Sequence, residues 1–283
     1  MKNIAIIFFV FLPSVLFRQE QWQIEFPVNE ENSGLVKYEF LLADQVALRS
    51  QPSLSGEVLS RLKIGTQLFL NKRSTQKMTQ NGIQSHWYQV VVNEKTGWIW
   101  GGLIAIKSFE SSTDTSIKFV VGYENATYHT KMEKYVCQFQ FRAVKKNKQL
   151  DKIVINVVDE VDVIERLGKK GLEKVDDILK LKTICDAYDC IMEVVYIFWY
   201  QDKFHKVFEL SETIDEDQEG MYNIETLSFP SDTDGIPKTI IKTTKELEFV
   251  EINKESKTYL YTCLLYTSPS PRDATLSRMP SSA

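Results

Sequence analysis

The chain has 283 residues, 43% hydrophobic and 25% charged, with 34 Lys and Arg against 38 Asp and Glu and a formal net charge of −4. That length suffices for about two domains of roughly 100–200 residues each, and the composition excludes a chain disordered throughout. Basic residues are scattered along the sequence instead of forming one stripe, so a nucleic-acid partner has no electrostatic support.

At the N-terminus, Lys2 precedes an apolar run from Ile4 to Phe17. The run is shorter than the ~20 residues that cross a bilayer and has the length of the hydrophobic stretch of an export signal. Residues 1–18 are therefore read as a signal peptide or anchor. Ser14-Val15-Leu16-Phe17-Arg18 lacks the small-residue pair that a signal peptidase accepts, so an uncleaved N-terminal anchor stays open as the alternative. No membrane span beyond it is expected, and the implied location is exported: periplasmic, cell-surface or secreted.

Residues 36–107 read as a small barrel. Val46 and Leu48 start a strand, and Gln51-Pro52-Ser53-Leu54-Ser55-Gly56 has the chemistry of a turn. A strand at Val58 to Leu62 runs into the reversal Lys63-Ile64-Gly65-Thr66, and Leu68 to Leu70 begin the return. Asn71 to Ser85 is read as a polar excursion. Tyr88-Gln89-Val90-Val91-Val92 and Gly97-Trp98-Ile99-Trp100, joined by Asn93-Glu94-Lys95-Thr96, form a hairpin signature.

Strand alternation places Ile99 inward with Tyr88, Val90 and Val92, which leaves Trp98 and Trp100 together on the opposite face. Two indoles there would make a flat apolar platform for sugar rings or peptide backbone. Burial against the next domain or against the Asn71 to Ser85 segment is the competing expectation. Arg49 and His86 fall at the rim of the same surface or in solvent. In the order Leu48-Arg49, Gly65-Thr66 and Gly97-Trp98-Ile99, this quarter of the chain resembles the bacterial SH3-like (SH3b) family. That resemblance implies a binding module, with peptidoglycan or a protein or peptide ligand as partner. The length of the Asn71 to Ser85 insertion departs from the family's shortest members.

From residue 115 to 262 the sequence reads as hairpins. Val136 to Val144 and Leu150 to Val158 flank Lys145 to Gln149; Val194 to Tyr200 and Phe204 to Leu210 flank Gln201-Asp202-Lys203. Val194 to Tyr200 is apolar on both faces and is expected to be a central strand covered above and below. A short helix is placed near Leu172 to Leu179, and later strands at Glu225 to Phe229, Thr239 to Thr243 and Leu247 to Ile252. The fold class is mainly β: an SH3-like small barrel followed by an antiparallel, sandwich-like domain, with a repeating β-blade array as the alternative.

Cys137 alternates with apolar residues and is assigned to a buried strand face. Cys185 and Cys190 flank a four-residue polar turn that brings them within reach of a disulfide. No paired Cys/His spacing supports a metal site, and no cofactor is implied. The acidic runs Asp159 to Asp162 and Glu212 to Glu219 are read as solvated loops, and Asp232-Thr233-Asp234-Gly235 as a turn. A wall peptidase would need a Cys nucleophile with a nearby His base, whereas His129 and His205 are isolated in sequence.

The tail from Cys263 to Ala283 resembles a translated sequencing adapter and is read as an appended artefact; a natural Ser/Pro-rich tail is the alternative. Two functions remain: an exported non-catalytic binding protein, or a truncated or unrecognised cell-wall hydrolase that uses the SH3-like domain for targeting.

Overall fold

The computed structural model describes residues 21–28, 38–158, 160–184, 190–215, 221–253 and 258–269. Cys185 lies outside them and the side chain of Cys190 is not described, so the disulfide candidate falls outside as well; so do residues 1–18, read from the sequence as a signal peptide or anchor. Among the described residues no helix is long and apolar enough to cross a membrane.

Strands β1 (Trp22–Ile24), β2 (Tyr38–Phe40), β3 (Val46–Arg49), β4 (Val58–Leu62), β5 (Gln67–Gln80), β6 (Ile83–Val92) and β7 (Lys95–Trp100) form one curled sheet in the order β2-β5-β6-β7-β3-β4. A 3₁₀ turn, Gly101–Leu103, follows β7, and an antiparallel bridge between Leu41 and Ile104 joins the segment after β2 to the segment after that turn. The inward set is the expected one: Tyr88, Val90 and Ile99 are fully buried and Val92 nearly so.

Asn71 to Ser85 is not an excursion. It is the far half of a long hairpin in which β5 and β6 pair until Gln80 meets Ile83 across an Asn81-Gly82 turn. Both turn residues have positive φ, 53° and 74°, the conformation that Asn-Gly supplies to two-residue hairpins. The run looks loop-like because most of the outer half of β5 is exposed, so no apolar alternation marks it as a strand.

Among the described residues β1 is the one parallel partner in this sheet, pairing Trp22 to Ile24 with Ile83 to Ser85. It occupies the edge of β6 beyond the end of β7, whose pairing with β6 stops at Trp87 and Trp100. The segment carrying β1 ties the barrel to the neighbouring sheet. Phe26 N–H donates to the Tyr88 hydroxyl at 2.9 Å, and the Trp22 ring lies 5.4 Å from Tyr123 and 5.5 Å from Tyr135.

β8 (Lys107–Glu110), β9 (Ile117–His129), β10 (Lys134–Lys145) and β11 (Lys148–Val158) make a four-stranded antiparallel sheet. β12 (Glu160–Gly168), β13 (Asp177–Ile184), β14 (Cys190–Tyr200), β15 (Lys203–Asp215), β16 (Met221–Ser228), β17 (Ile241–Asn253) and β18 (Thr258–Pro269) form a seven-stranded meander. Both expected hairpin tips are two-residue turns, Lys146-Asn147 and Gln201-Asp202, with φ between 50° and 57°.

The two sheets pack face to face as an antiparallel sandwich. Phe119 of β9 meets Trp199 of β14 edge-on at 5.5 Å, and Phe204 of β15 stands 4.7 Å from Trp199. β14 behaves as a central strand: Val195, Ile197 and Trp199 join the core shared with the barrel, whereas Val194, Tyr196 and Phe198 join a second cluster with Phe229 and Ile240. Burial on both faces explains the unbroken apolar run.

The helix expected near Leu172 to Leu179 is a turn followed by β13. Leu172, Val175 and Ile178 have helical spacing but reach the second cluster from a loop and a strand start. The strands expected at Thr239 to Thr243 and Leu247 to Ile252 are one, β17. Its partner β18 extends through the adapter-like residues 263–269. Asp232 to Gly235 is a turn: Gly235 N–H donates to Asp232 O at 2.9 Å, and the Asp232 carboxylate accepts from Phe229 N–H at 2.8 Å and from Lys170 Nζ at 2.9 Å. Asp159 is outside the described residues, but Glu160 to Asp162 belong to β12, and Glu212 of β15 pairs with Lys182 at 2.7 Å. Glu160, Asp162, Glu212 and Asp215 are thus strand residues, not loop residues, whereas Glu216 to Glu219 lie outside the described residues.

Barrel and sandwich share one hydrophobic core. The cluster containing Leu48, Tyr88 and Ile99 continues through Phe119, Phe139 and Trp199. At the other end Leu42, Ile64 and Ala105 pack on Val120 and Val144, and Asn147 Nδ2 donates to Ile64 O at 3.0 Å.

Candidate functional site

Because directly paired residues of an antiparallel sheet point to the same side, the pairing of the barrel strands fixes what its outer face presents. Lys72 pairs with Gln89, Gln89 with Trp98, Trp98 with Arg49, and Arg49 with Val58. One straight row thus crosses five strands on the side opposite Leu48, Tyr88 and Ile99. Beside it run Thr96, Val91 and Phe69, also in register, and Tyr38, whose ring meets Phe69 edge-on at 6.1 Å. Val58 is 40% and Tyr38 49% exposed, while Trp98 is half-buried at the centre.

The two tryptophans of the expected platform separate. Trp98 stays on this face, but Trp100 is only 4% exposed, and its Nε1–H points to Met78 O at 3.0 Å and Ser85 O at 3.2 Å. The long hairpin covers it, which is the competing expectation realised. Gly102 lies so close to the ring that a β-carbon there would fall 2.2 Å from a Trp100 carbon, so the chain can turn back over the indole only without a side chain at that position.

Arg49 lies next to Trp98 in the row. Its Nη1 donates to Leu54 O and Gly56 O, both at 2.8 Å, so the side chain fixes the Gln51 to Gly56 turn while its charge stays on the face. His86 lies elsewhere. It points inward with Tyr88, its Nδ1 is 2.6 Å from Ser74 O, and its Nε2 is 3.2 Å from Glu25 Oε1.

Glu25 is the centre of that second cluster, with Arg73 at 2.5 Å and Lys77 at 3.6 Å. Partial burial works against its charge, but the neighbouring Arg73, His86 and Lys77 outweigh it and hold the carboxyl below the usual carboxylate range. The sign is that of a depressed acid: the stabilisation is present above the unfolded-state value and lost as pH falls through the lower folded-state value. Glu25→Gln should therefore cost thermal stability at neutral pH, and the gap to the parent protein should close only below the ordinary carboxylate range. Melting curves across acidic pH check this.

Three side chains weighed for chemistry stand apart. Cys137 is fully buried on β10, and burial pushes its thiol up to about 12, which leaves it protonated. His129 is exposed at the end of β9, and His205 stacks on Tyr200 at 4.1 Å. Among the described residues no group of three or more His, Cys, Asp or Glu could hold a metal ion.

Lys72, Gln89, Val58, Phe69 and Tyr38 belong to the face although no sequence motif singles them out. The Asn81-Gly82 turn marks β5 and β6 as a hairpin, but the register shifts between Arg73 and Lys77 and between Leu70 and Lys72 decide which residues meet in the row, and no sequence signal announces them. Residues 44–105, the stretch holding the centre of this row, match the bacterial SH3 domain family. No curated protein and no solved structure matches the chain.

Proposed function

With a bacterial SH3 domain at residues 44–105, commonly a binding or targeting module, we propose that the chain is an exported binding protein that performs no covalent chemistry. Its barrel holds cell-wall peptidoglycan or a peptide or protein partner on the outer face centred on Trp98. The observation that carries this reading is the row itself, a half-buried indole flanked by Gln89 and Arg49, with Val58 beyond Arg49 and with Phe69 and Tyr38 in the neighbouring row. An indole backed by a folded sheet offers a rigid apolar surface at little entropic cost, which suits sugar rings and peptide backbone alike.

The shared core supports a second part of the reading. Here the barrel is built into the sandwich, so the bound partner is presented at a fixed angle to the rest of the molecule.

Retention of the purified chain on insoluble peptidoglycan tests the proposal. Trp98→Ala should weaken retention about tenfold or more, the scale of a central aromatic contact, with an unchanged circular dichroism spectrum. Equal retention of the two proteins would remove this face from the account, and release of soluble muropeptides would refute the non-catalytic reading.

A further inference from the structure

The barrel and the rest of the chain carry opposite charge. Residues 38–107 contain eight Lys and Arg against four Asp and Glu, a net of +4, whereas the whole chain carries −4, which leaves −8 for the remainder. The four acids of the barrel lie off the outer row. Glu39 is 7% exposed and pairs with the core residue Leu68; Asp44 accepts from Ile64 N–H at 3.1 Å; Glu57 sits in the turn before β4, and Glu94 in the turn before β7.

Three bases lie on that side: Lys72 and Arg49 within the row, and Arg61, which pairs with Ala47 one outward position along β3. None of the three has a carboxylate within 4 Å among the described residues. Arg49 is held through Nη1 by two carbonyl oxygens, so its guanidinium is positioned but not neutralised. A fixed guanidinium with a free edge is suited to a carboxylate.

We propose that this face docks an acidic, extended peptide segment of a protein partner, an inference that rests on the assignment of the outer row as the binding surface. Lys72 and Arg49 are three strand spacings apart, about 14 Å at ~4.8 Å each. An extended peptide advances about 13 Å over four residues, and its positions i, i+2 and i+4 share one side. Acids at i and i+4 therefore reach Lys72 and Arg49 together, and the residue at i+2 falls about 7 Å along, between Gln89 and Trp98, where an apolar side chain can lie against the indole. The acidic character comes from the bases and the apolar middle position from the indole.

The test uses the full chain and three fluorescent peptides that differ only at two positions: Glu at i and i+4 with Leu at i+2, the same peptide with Gln in place of both Glu, and the same with Lys. Polyphosphate and soluble muropeptides are run beside them. The Glu peptide should bind about tenfold or more tightly than the Gln peptide, and the Lys peptide should not bind. Binding should weaken as salt rises from about 50 to about 200 mM. Lys72→Glu, at an exposed position, should weaken the Glu peptide about tenfold and leave the fold intact by circular dichroism.

Equal affinity for the Glu and Gln peptides would overturn the inference. So would a Glu-peptide affinity that Lys72→Glu leaves unchanged, or binding of polyphosphate in the absence of peptide binding. If muropeptides still bind and Trp98→Ala still abolishes that binding, the surface stands and only the acidic partner falls; if Trp98→Ala changes nothing for any probe, the surface itself falls.

Discussion

Trp199→Ala should lower the unfolding free energy by about 3–5 kcal/mol, the usual cost of truncating a large buried aromatic. The side chain is 1% exposed and stands where the sandwich is thickest in aromatic contact, with Phe119 from the facing sheet and Phe204 from the neighbouring strand. Burial of ~150–250 Å² of indole at ~25 cal/mol per Å² gives about 4–6 kcal/mol as an upper figure, which agrees with the truncation range. Because Trp199 belongs to the cluster that also contains Leu48, Tyr88 and Ile99, the loss should be felt by barrel and sandwich in one transition. Urea denaturation followed by circular dichroism gives the free energy, and Trp199→Phe should recover most of it. A barrel that melts separately, at the parent midpoint, would show that the continuous core does not couple the two.

Gly82→Ala should cost about 2–5 kcal/mol. Of this, ~1–2 kcal/mol is the penalty for a β-carbon in the left-handed region, since Gly82 has φ of 74°. The rest comes from the docking of the hairpin tip. A β-carbon at Gly82 would sit 1.7 Å from Ala126 O, a backbone atom of β9 that cannot step aside, so the tip must lift. That breaks the bond from Ala126 N–H to Asn81 O at 2.9 Å and the one from Asn81 Nδ2 to Glu124 O at 3.3 Å, each worth ~0.5–1.5 kcal/mol net. Asn81→Gly keeps the turn conformation and should cost less than half as much. Loss of protection at the Ala126 amide in hydrogen exchange is the local readout; full protection in Gly82→Ala would contradict the docking.

The sequence is legible where one residue pattern has one physical solution. Alternation around Ile99 places the barrel core, because a strand with one buried face cannot slip by one residue without turning that face to water. Val194 to Tyr200 declares a doubly covered strand because no exposed position in a sheet would be apolar on both sides. Where tertiary contacts decide, the pattern falls short. The outer part of β5 has no alternation, since most of it faces solvent, and only the Asn81-Gly82 pair marks it.

Alternation puts Trp98 and Trp100 on one face and says nothing about cover, which comes from a hairpin formed earlier in the chain that reaches over by the twist of the sheet. His86 reads as a rim or solvent residue because Asn71 to Ser85 reads as a polar excursion ending beside it; with β6 starting at Ile83, its two-residue spacing from Tyr88 turns it inward. β1 carries no strand signature, because its three residues pair in parallel with an edge that exists only once β7 has turned away. The spacing of Leu172, Val175 and Ile178 matches a helix by accident of a loop that runs into β13.

The most direct test of the outer face is the set of indole N–H resonances in a ¹⁵N spectrum, recorded while peptidoglycan fragments or the acidic peptide are added. The chain has five tryptophans: Trp87, Trp100 and Trp199 are buried in the core, and Trp22 and Trp98 are partly buried against it, Trp22 among the rings of Tyr123 and Tyr135 and Trp98 on the outer row. The Trp98 signal should move with added ligand while those of Trp100 and Trp199 stay in place. Movement of Trp199 or Trp22 with Trp98 unmoved would contradict the account and shift the binding surface to the sandwich.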